Sequence, residues 1–423
     1  MAITAQSVTD VCRAAKRASR ELAQLDTATK NRALDAIAGA VDERLEEILE
    51  ANARDMEAGR AAGLDAAFLD KLRLDRARVA AMSGGVRQIV ALPDPVGEVI
   101  LGFRLSNGLD LRQVRAPLGV VAVVYEARPN VTVDCTALAI KSGNAIVLRG
   151  SSQAAHSNAV LAAVATEAAI GAGLPEGVIG LVAGAAREEL GELATQDGLV
   201  DLIVPRGGEG LKAALKHVAT VPVIYAASGN CHVFVDADAD LRAAEEIVVN
   251  AKTQRPGVCN AIETLLVHRD VAPEFLPAVL RRLRDAGVEL RADGRARAAA
   301  GDLATSLLEA TDEDWDTEYL AMVLAVGVVD SVQEAIDHVN AHGSGHSEAI
   351  VTGSTDSARA FQLGVDAACV YVNASTRFTD GGEFGMGAEI GNSTQKLHAR
   401  GPIGMRELCT YKYLVEGSGQ VRP

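Results

Sequence analysis

Residues 119–150, GVVAVVYEARPNVTVDCTALAIKSGNAIVLRG, decide the fold class of this 423-residue chain. GVVAVVYE (119–126) is an apolar run of the length typical of a buried strand, and NAIVLRG (144–150) has the same character. Between them, VTVDCTALAIKSG predicts a helix that ends at Gly143. A strand, a helix and a second strand at this spacing predict a parallel sheet whose two faces are covered by helices.

The same alternation continues along the rest of the chain in two series. VIGLVAG, DLIVPRG and VPVIYAA extend the first series as further strands. A second series begins near Cys231 and contains HVFVDAD, AIETLLVH, VELRAD, LAMVLAVGVV, EAIVTG and ACVYVN. Residues 1–90 have helical periodicity. The sequence therefore predicts an α/β protein with two parallel-sheet domains.

Residues 96–117, VGEVILGFRLSNGLDLRQVRAP, interrupt this alternation. Asn107-Gly108 lies between two alternating segments, which is a strong signal for a β-hairpin. The tail CTYKYLVEG predicts a terminal strand. Because an isolated hairpin is marginally stable in water, we expect this one to pair with another subunit. A surface hairpin on a monomer is the alternative.

Composition excludes several classes of function. The formal net charge of −15 and the pI of about 5.1 disfavour nucleic acid and anionic membrane surfaces as partners. The six cysteines are scattered without a C-x-x-C pair, which argues against a zinc site and a redox dithiol. Neither a signal peptide nor an apolar run of membrane-spanning length is present, so we expect a cytoplasmic protein with reduced thiols.

Cys259 is the candidate nucleophile. It lies in KTQRPGVCNAIETLLVH (252–268), after a helix and a Pro-Gly turn and just before a strand. Positive neighbours such as Lys252 and Arg255 would favour its thiolate form. For any single cysteine a place in the core is the simpler reading, but the turn and the basic flank favour catalysis here.

Asn130 is the candidate stabiliser of negative charge. In VVYEARPNVTVD (123–134) it follows a strand, at the sheet edge where ligands bind in open parallel sheets. Its amide could donate to the oxygen of a thiohemiacetal formed on a catalytic cysteine. Capping of the following helix is the alternative role.

Two further segments suggest a nucleotide and its substrate. IVPRGGEGLKAAL (203–215) combines a strand, a glycine-rich turn and a helix, the geometry for phosphate at a helix N-terminus, although its spacing is not G-x-G-x-x-G. Arg149, at the end of NAIVLRG, could hold a 2′-phosphate or could be a surface strand-end residue. GGEFGMGAEIG (381–391) favours a loop that lines a substrate pocket.

Three histidines raise the question of a metal site. His338, His342 and His346 are four residues apart and would share one face of a continuous helix. Gly343 and Gly345 interrupt that helix, and two imidazoles alone are a weak metal signal. We therefore predict no metal.

Taken together, these segments resemble the aldehyde dehydrogenase superfamily over essentially the whole chain. The matching blocks are VYEARPNVTVDCTALAIKSGNAIVLRGSSQAAHSN, VPRGGEGL, KTQRPGVCNAIETLLVH, VQEAIDHVNAHGSGHSEAI and NASTRFTDGGEFGMGAEIGNSTQKLHARGP. The resemblance implies an aldehyde dehydrogenase-like fold of two parallel-sheet α/β domains with a small β-hairpin oligomerisation element. It implies a cofactor-binding domain (1–95 and 118–232), an oligomerisation hairpin and tail (96–117 and 405–423), a catalytic domain (233–390) and a returning loop (391–404).

The resemblance also assigns roles to single residues. Cys259 matches the nucleophile and Asn130 the oxyanion-stabilising amide. The positions that match cofactor-binding residues are Arg149, Ser151, Arg206, Gly207, Gly208 and Glu318. Phe384 matches a phenylalanine near the substrate. By placement, Arg255 and Arg377 are the best candidates for binding phosphate and an α-carboxylate, and Arg128 is a weaker one; surface salt bridges are the alternative.

One departure from the family pattern bears on the reaction. Aldehyde-oxidising members carry a water-activating glutamate in an E-L-G-G-K type segment, and Ala226 stands at that position here. A reductase needs its thioester to survive, so the loss of this base favours reduction. A hydrolytic NAD(P)-dependent semialdehyde dehydrogenase would carry glutamate there, and a non-catalytic scaffold would lack Cys259 or Asn130.

The resemblance therefore implies NADPH-dependent reduction of L-glutamyl 5-phosphate to L-glutamate 5-semialdehyde and phosphate through a cysteine thioester, the second step of proline biosynthesis. NADPH/NADP⁺ is the expected cofactor and glutamyl phosphate the expected small-molecule partner. A homo-oligomer, either a dimer or a tetramer, is expected. Association with glutamate kinase is a further expectation.

Overall fold

The structure is a computed structural model that describes residues 7–183, 186–225 and 228–422. Its α-helices are α1 (Val8–Leu22), α2 (Thr27–Glu43), α3 (Leu45–Ala61), α4 (Ala66–Leu72), α5 (Arg76–Ala91), α6 (Asn130–Lys141), α7 (Ala155–Gly171), α8 (Arg187–Ala194), α9 (Glu209–Val218), α10 (Leu241–Thr253), α11 (Ala272–Asp285), α12 (Gly294–Ala299), α13 (Asp312–Trp315), α14 (Val332–His342) and α15 (Thr355–Gly364). Short 3-10 helices span Ser152–Ala154, Gly301–Ser306 and Thr376–Phe378.

The strands are β1 (Val99–Arg104), β2 (Asp110–Pro117), β3 (Val120–Tyr125), β4 (Ala145–Arg149), β5 (Ile179–Leu181), β6 (Leu202–Arg206), β7 (Cys231–Val235), β8 (Ile262–His268), β9 (Glu289–Ala292), β10 (Leu308–Glu309), β11 (Val323–Val329), β12 (Ser347–Val351), β13 (Cys369–Val372), β14 (Gly391–Ser393), β15 (Gly401–Ile403) and β16 (Cys409–Glu416). They form four sheets within the described part of the chain.

Local side-chain chemistry marks where helices begin and end. The carboxylate of Asp26 accepts the backbone N–H of Thr29 at the start of α2, and the hydroxyl of Ser331 accepts that of Glu334 at the start of α14. Each such cap satisfies an otherwise unpaired N–H, typically stabilising the helix by about 1 kcal/mol. Gly143 follows α6 with a φ of +78°, a conformation that glycine adopts without strain, as the sequence predicts.

The chain divides into two compact units. The first comprises Met1–Ala226, Met386–Gly391 and Ile403–Pro423. It holds a parallel sheet of order β5-β4-β3-β6, in which every residue of β3 is buried. Burial on both faces explains why this strand is a continuous run of Val, Ala and Tyr. The strand order reverses between β3 and β6, the kind of switch point where open α/β sheets bind ligands.

The second unit comprises Ala227–Gly385 and Asn392–Pro402. It holds a parallel sheet of order β10-β9-β11-β8-β7-β12-β13. All seven residues of β8 are buried, and its apolar side chains pack in a core with those of α10 and α11. The prediction of two parallel α/β sheets is confirmed. The division of cofactor binding and catalysis between the units stays a prediction.

A small antiparallel sheet contains the predicted hairpin. β1 pairs with β2 around a turn in which Gly108 has a φ of +88°, and β16 pairs with the other side of β2. The hairpin and the terminal strand are therefore confirmed, and the structure shows that they belong to one sheet. Its exposed apolar side chains are Val99, Ile100, Leu101, Phe103, Tyr411, Tyr413, Leu414 and Val415.

Two predictions about strands need correction or extension. VPVIYAA is not a full strand, because only Val223 pairs, in a single parallel bridge with Ile203; Ala226 and Ala227 lie outside the described residues. The predicted loop 391–404 contains β14 and β15, which form a two-stranded sheet. None of the helices in the described ranges is both long and apolar enough to cross a lipid bilayer.

Candidate active site

The first unit gathers candidate residues at the carboxyl edge of its sheet. Tyr125 of β3 pairs in register with Arg206 of β6, so Glu126 and Gly207 leave the sheet side by side. A cavity of about 350 Å³ lies there, at the point where the strand order reverses. It is lined by Phe68, Lys71, Glu126, Ala127, Arg128, Arg206, Gly207 and Gly208. The structure thus brings Arg128 together with the predicted pyrophosphate turn.

The glycine turn after β6 leaves no room for a side chain at its first position. A Cβ on Gly207 would lie 2.8 Å from the carboxylate of Glu126 and 2.8 Å from Leu211. The N–H of Gly208, at the start of α9, donates to Glu126 Oε2 at 3.2 Å. A carboxylate therefore occupies the helix N-terminus that the sequence assigns to phosphate. Sequence reasoning missed Glu126, although its position directly after β3 was a signal.

Asn130 begins α6 but does not cap it. The N-cap residue is Pro129, which has no side-chain capping bond. The Nδ2 of Asn130 donates to Asp134 Oδ2 at 2.8 Å, which engages one of the two N–H groups of the amide. Burial raises the pKa of Asp134 to about 6, while the hydrogen bond from Asn130 and the charge of Arg206 act in the opposite direction.

Arg149 and Ser151 lie at the end of β4. Arg149 is only 9% exposed, and its Nη2 donates to the carbonyl oxygen of Ala186 at 3.0 Å. Burial lowers the pKa of its guanidinium, and Glu189 opposes that effect. Because the side chain is buried, the alternative of a surface residue at the strand end is wrong. The Ser151 hydroxyl is buried and has no hydrogen-bond partner among the described residues. Arg149 is the last residue of the strand next to β3, and Ser151 follows two residues later.

In the second unit, Cys259 precedes β8 and so lies at the amino edge of the sheet. All six cysteines lie in described residues, and Cys259 is the partly exposed one while the other five are buried. Burial raises the pKa of Cys12 and of Cys135 to about 12, which keeps those thiols protonated and inert. Exposure therefore leaves Cys259 as the candidate nucleophile.

The backbone of Cys259 is closely packed. Its carbonyl oxygen accepts a hydrogen bond from Cys231 Sγ at 3.1 Å. A Cβ on Gly229 would lie 1.6 Å from that same oxygen, so no other residue fits there. The N–H of Gly229 donates to Glu318 Oε1 at 2.7 Å. Gly229, which the sequence analysis did not single out, thus joins Glu318 to the nucleophile loop.

Asn260 ties the nucleophile loop to the segment that carries Arg377. Its Nδ2 donates to the carbonyl oxygens of Thr379 at 2.9 Å and of Arg377 at 3.3 Å. The Thr376 hydroxyl in turn donates to the carbonyl oxygen of Asn260 at 2.7 Å. These bonds are long-range in sequence, so no local pattern indicated the role of Asn260.

Arg377 lies close to the nucleophile and to a second cation. Its Nε donates to Gln254 Oε1 at 2.9 Å. Burial and then Arg255 lower the pKa of its guanidinium, while Asp380 and Cys259 act in the opposite direction. Arg255 and Cys259 are therefore within electrostatic range of Arg377. A cavity of about 270 Å³ beside it is lined by Asn250, Gln254, Arg377, Phe378, Asp380 and Glu383.

Phe384 lies on the glycine-rich loop of the second unit. It is 44% exposed, and its ring centroid is 6.5 Å from that of Tyr371. Its N–H donates to the carbonyl oxygen of Asp380 at 2.9 Å. The second unit thus contains Cys259, Arg255, Arg377, Phe384 and Glu318, whereas Arg128 belongs to the first.

The three histidines do not share one surface. α14 ends at His342, as the glycines predict, and His338 and His342 have ring centroids 4.6 Å apart. His346 lies beyond the helix, buried, with its Nδ1 2.7 Å from the hydroxyl of Ser347. Within the described ranges, no group of three or more His, Cys, Asp and Glu side chains is arranged to hold a metal ion.

Comparison with known proteins gives a consistent result. The model of the aldehyde dehydrogenase family matches residues 1–300 and 306–412. The gamma-glutamyl phosphate reductase of Moorella thermoacetica is 54% identical over 408 residues, which cover 96% of this chain and 97% of that protein. That of Thermobifida fusca is 52% identical over 417 residues, 99% of each.

Solved structures agree. The crystal structure of gamma-glutamyl phosphate reductase from Thermotoga maritima superimposes with a TM-score of 0.96 at 45% identity, covering 99% of this chain and 100% of that one. The aldehyde dehydrogenase-like fold expected from the sequence is confirmed.

Proposed function

Because this chain belongs to the aldehyde dehydrogenase family, in the group whose relatives are named gamma-glutamyl phosphate reductase, we propose that it reduces L-glutamyl 5-phosphate to L-glutamate 5-semialdehyde and phosphate with NADPH. The observation that carries the proposal is a partly exposed Cys259 that interacts electrostatically with Arg377, which also interacts with Arg255. A cysteine near a pair of interacting guanidinium groups suits a substrate with an acyl phosphate at one end and a carboxylate at the other.

The first half of the reaction is acyl transfer to sulfur. The Cys259 thiolate attacks the acyl carbon, the bond to the phosphate oxygen breaks, and phosphate leaves with that electron pair. The product is a thioester, so one difficult displacement is divided into two easier steps. Arg255 and Arg377 favour the thiolate and bind the phosphate and the α-carboxylate.

The second half is reduction of the thioester. Bound NADPH supplies the hydride. The Asn130 amide and the Cys259 backbone N–H stabilise the oxyanion that develops, an effect of about 3 kcal/mol in comparable sites. Expulsion of the Cys259 thiolate then releases the aldehyde. Phe384 lines the substrate pocket, and Arg128 contributes a weaker charge.

The residues of the first unit fit a dinucleotide. Gly208, at the start of α9, has open space around its Cβ position, and the buried Ser151 hydroxyl lacks a partner among the described residues. Arg206 and Gly208 would contact the pyrophosphate, and Arg149 a 2′-phosphate, which is the basis for preferring NADPH to NADH. In the second unit, Glu318 would hold the nicotinamide ribose. We accordingly assign most of the cofactor contacts to the first unit and the nucleophile to the second.

The competing reaction is hydrolytic oxidation of a semialdehyde to an acid. It needs a water-activating base, and position 226, which lies outside the described residues, is alanine. A thioester without such a base persists long enough to be reduced.

An assay in the oxidative direction separates the two reactions. With glutamate 5-semialdehyde, turnover of NADP⁺ should require inorganic phosphate, because phosphate must attack the thioester carbon and expel the Cys259 thiolate. NADP⁺ reduction at the same rate without phosphate, with glutamate as the product, would favour the hydrolytic enzyme.

The three-stranded sheet supports a homo-oligomer. Its eight exposed large apolar side chains lie on β1 and β16, which are its two edge strands. Exposed apolar edge strands of this kind are typical of surfaces that pair with another chain. We propose that a second copy of this chain covers it, in a dimer or tetramer. Association with glutamate kinase and a cytoplasmic location stay predictions.

A further inference from the structure

The second unit contains another cavity that the proposed mechanism does not use. It has a volume of about 500 Å³ and lies where α14 ends and β12 begins. Its lining residues are Val339, Asn340, Gly343, Ser344, Gly345, Glu348, Asp366, Ala367, Thr394 and Arg400. Most of this lining is polar or charged, so the cavity is suited to a hydrophilic ligand.

Three buried side-chain atoms of this lining lack hydrogen-bond partners among the described residues. They are Ser344 Oγ, Glu348 Oε1 and Arg400 Nε. Glu348 is completely buried. Buried polar atoms are nearly always paired, because an unpaired one loses its hydrogen bonds to water without replacement. Three such atoms around one cavity therefore point to a ligand that would satisfy them together.

Each of the three groups is available as a donor. Glu348 Oε2 accepts the backbone N–H of His232 at 2.7 Å and lies 2.9 Å from its Nδ1. Burial lowers the pKa of His232 to about 3 and raises that of Glu348 well above its ordinary value, so the pair is neutral. A neutral Glu348 whose Oε2 accepts the His232 N–H can present its hydroxyl at Oε1. The hydroxyl of Ser344 and the N–H of Arg400 complete the set.

The local charge is positive although the chain is acidic overall. Arg400 and Lys396 both pair with Asp366, with Arg400 Nη2 3.1 Å from its Oδ1. Two cations around one carboxylate leave a net positive charge beside the cavity. A guanidinium and two hydroxyl donors favour an anionic ligand, because charge-assisted bonds to oxyanions are strong.

Two glycines lie close to Glu348 and Arg400. A Cβ on Gly343 would lie 3.0 Å from Glu348 Oε1, and one on Gly345 would lie 3.7 Å from Arg400 Nη2. Gly345 also has a φ of +73°, which disfavours other residues. The same loop touches the support of the nucleophile, because the Ser344 N–H donates to the carbonyl oxygen of Asn230, the neighbour of Gly229, at 3.3 Å.

We propose that this cavity is a binding site for a small oxyanion, a phosphate or a carboxylate group, held by Ser344, Glu348 and Arg400. The site is separate from the catalytic anion contacts assigned to Arg255 and Arg377. Its occupancy would brace the loop that leads to Gly229 and Cys259.

The test is isothermal titration calorimetry of the full-length protein with inorganic phosphate and, separately, with acetate. Ser344→Ala and Arg400→Gln should each weaken binding at this site by at least about tenfold. Glu348→Gln should bind nearly as well as the unchanged protein, since the carboxamide presents an N–H donor where the acid presents its hydroxyl. Binding of phosphate alone or of acetate alone supports the site and identifies the group it takes.

Arg359→Gln is the matched control, because it removes an exposed arginine of the same unit and should leave binding unchanged. Ser344→Ala removes a single oxygen, so it remains informative if Arg400→Gln unfolds, which thermal denaturation would show. The proposal is overturned if the unchanged protein binds neither anion, or if neither substitution changes the affinity or the stoichiometry of binding. It is also overturned if all binding disappears in Arg377→Gln, because that result would assign the binding to the proposed catalytic site. If the proposed catalytic function itself proves wrong, the titration still tests the cavity.

Discussion

The two parallel sheets present their candidate residues at opposite edges. In the first unit, Glu126 and Gly207 follow β3 and β6, at the carboxyl edge and at the point of strand reversal. In the second unit, Gly229 and Cys259 precede β7 and β8, at the amino edge. The rule that ligands bind at the carboxyl ends of parallel strands therefore locates only the candidate cofactor-binding residues of the first unit. The candidate nucleophile lies instead at the amino edge of its sheet.

The difference lies in what holds each set of atoms. The first unit relies on backbone groups, a glycine turn and a helix N-terminus, that any strand-to-helix connection of this shape provides. The second relies on specific side chains, with Asn260 and Glu318 bonded to main-chain atoms distant in sequence. We expect substitutions at the amino edge to affect turnover, and those at the carboxyl edge to affect cofactor affinity.

The largest effect is expected from Cys259→Ala. Removing the nucleophile should lower kcat by at least about 10⁴-fold, because no thioester can form. Phosphate-dependent NADP⁺ reduction measures this loss, and fluorescence titration should show unchanged NADPH binding. Cys12→Ala, which removes a buried thiol on α1, is the control and should retain activity. Turnover by the Cys259 variant would show that Cys259 is not the nucleophile.

A smaller loss is expected from Gly229→Ala. The new methyl group would overlap the Cys259 carbonyl oxygen and shift the nucleophile, and a displacement of about 1 Å can cost about 100-fold in kcat. Gly257→Ala is the matched control, since its Cβ would lie 3.7 Å from the nearest atom, an ordinary contact with the Leu320 carbonyl oxygen. Equal kcat values for the two variants would show that packing at position 229 does not position the thiol.

The smallest effect is expected from Gly207→Ala, at the carboxyl edge of the first unit. Crowding against Glu126 and Leu211 should raise KM for NADPH about tenfold while kcat changes little. Gly210→Ala, at an open position in α9, should leave KM unchanged. If the position 207 variant instead loses kcat with KM unaltered, the proposed division of labour between the two edges is wrong.

Much of the fold could be predicted because its signals are local. The run that became β3, the Asn107-Gly108 turn and the end of α14 before Gly343 each depend on a few adjacent residues. VPVIYAA was predicted as a strand for the same reason and fails, because strand formation needs a partner along its length and, among its described residues, Val223 alone has one.

The candidate site divides in the same way. Cys259 and the glycine turn were identified from turns, flanking charge and resemblance, and Arg377 was a candidate by placement. Gly229, Asn260 and Glu126 were not identified, because their partners lie far away along the chain. These partners, Cys259, Thr379 and Gly208, are 30, 119 and 82 residues away, respectively.

The sequence by itself determined the α/β class, the hairpin, Cys259 as the candidate nucleophile and the resemblance to the aldehyde dehydrogenase superfamily. These depend on periodicity, turn chemistry and shared motifs. Tertiary structure alone decided that Gly229 packs on the Cys259 carbonyl, that Glu126 occupies the start of α9, and that Ser344, Glu348 and Arg400 line one cavity. Those contacts join residues from separate strands and helices, and only the packed sheets bring such residues within hydrogen-bonding distance.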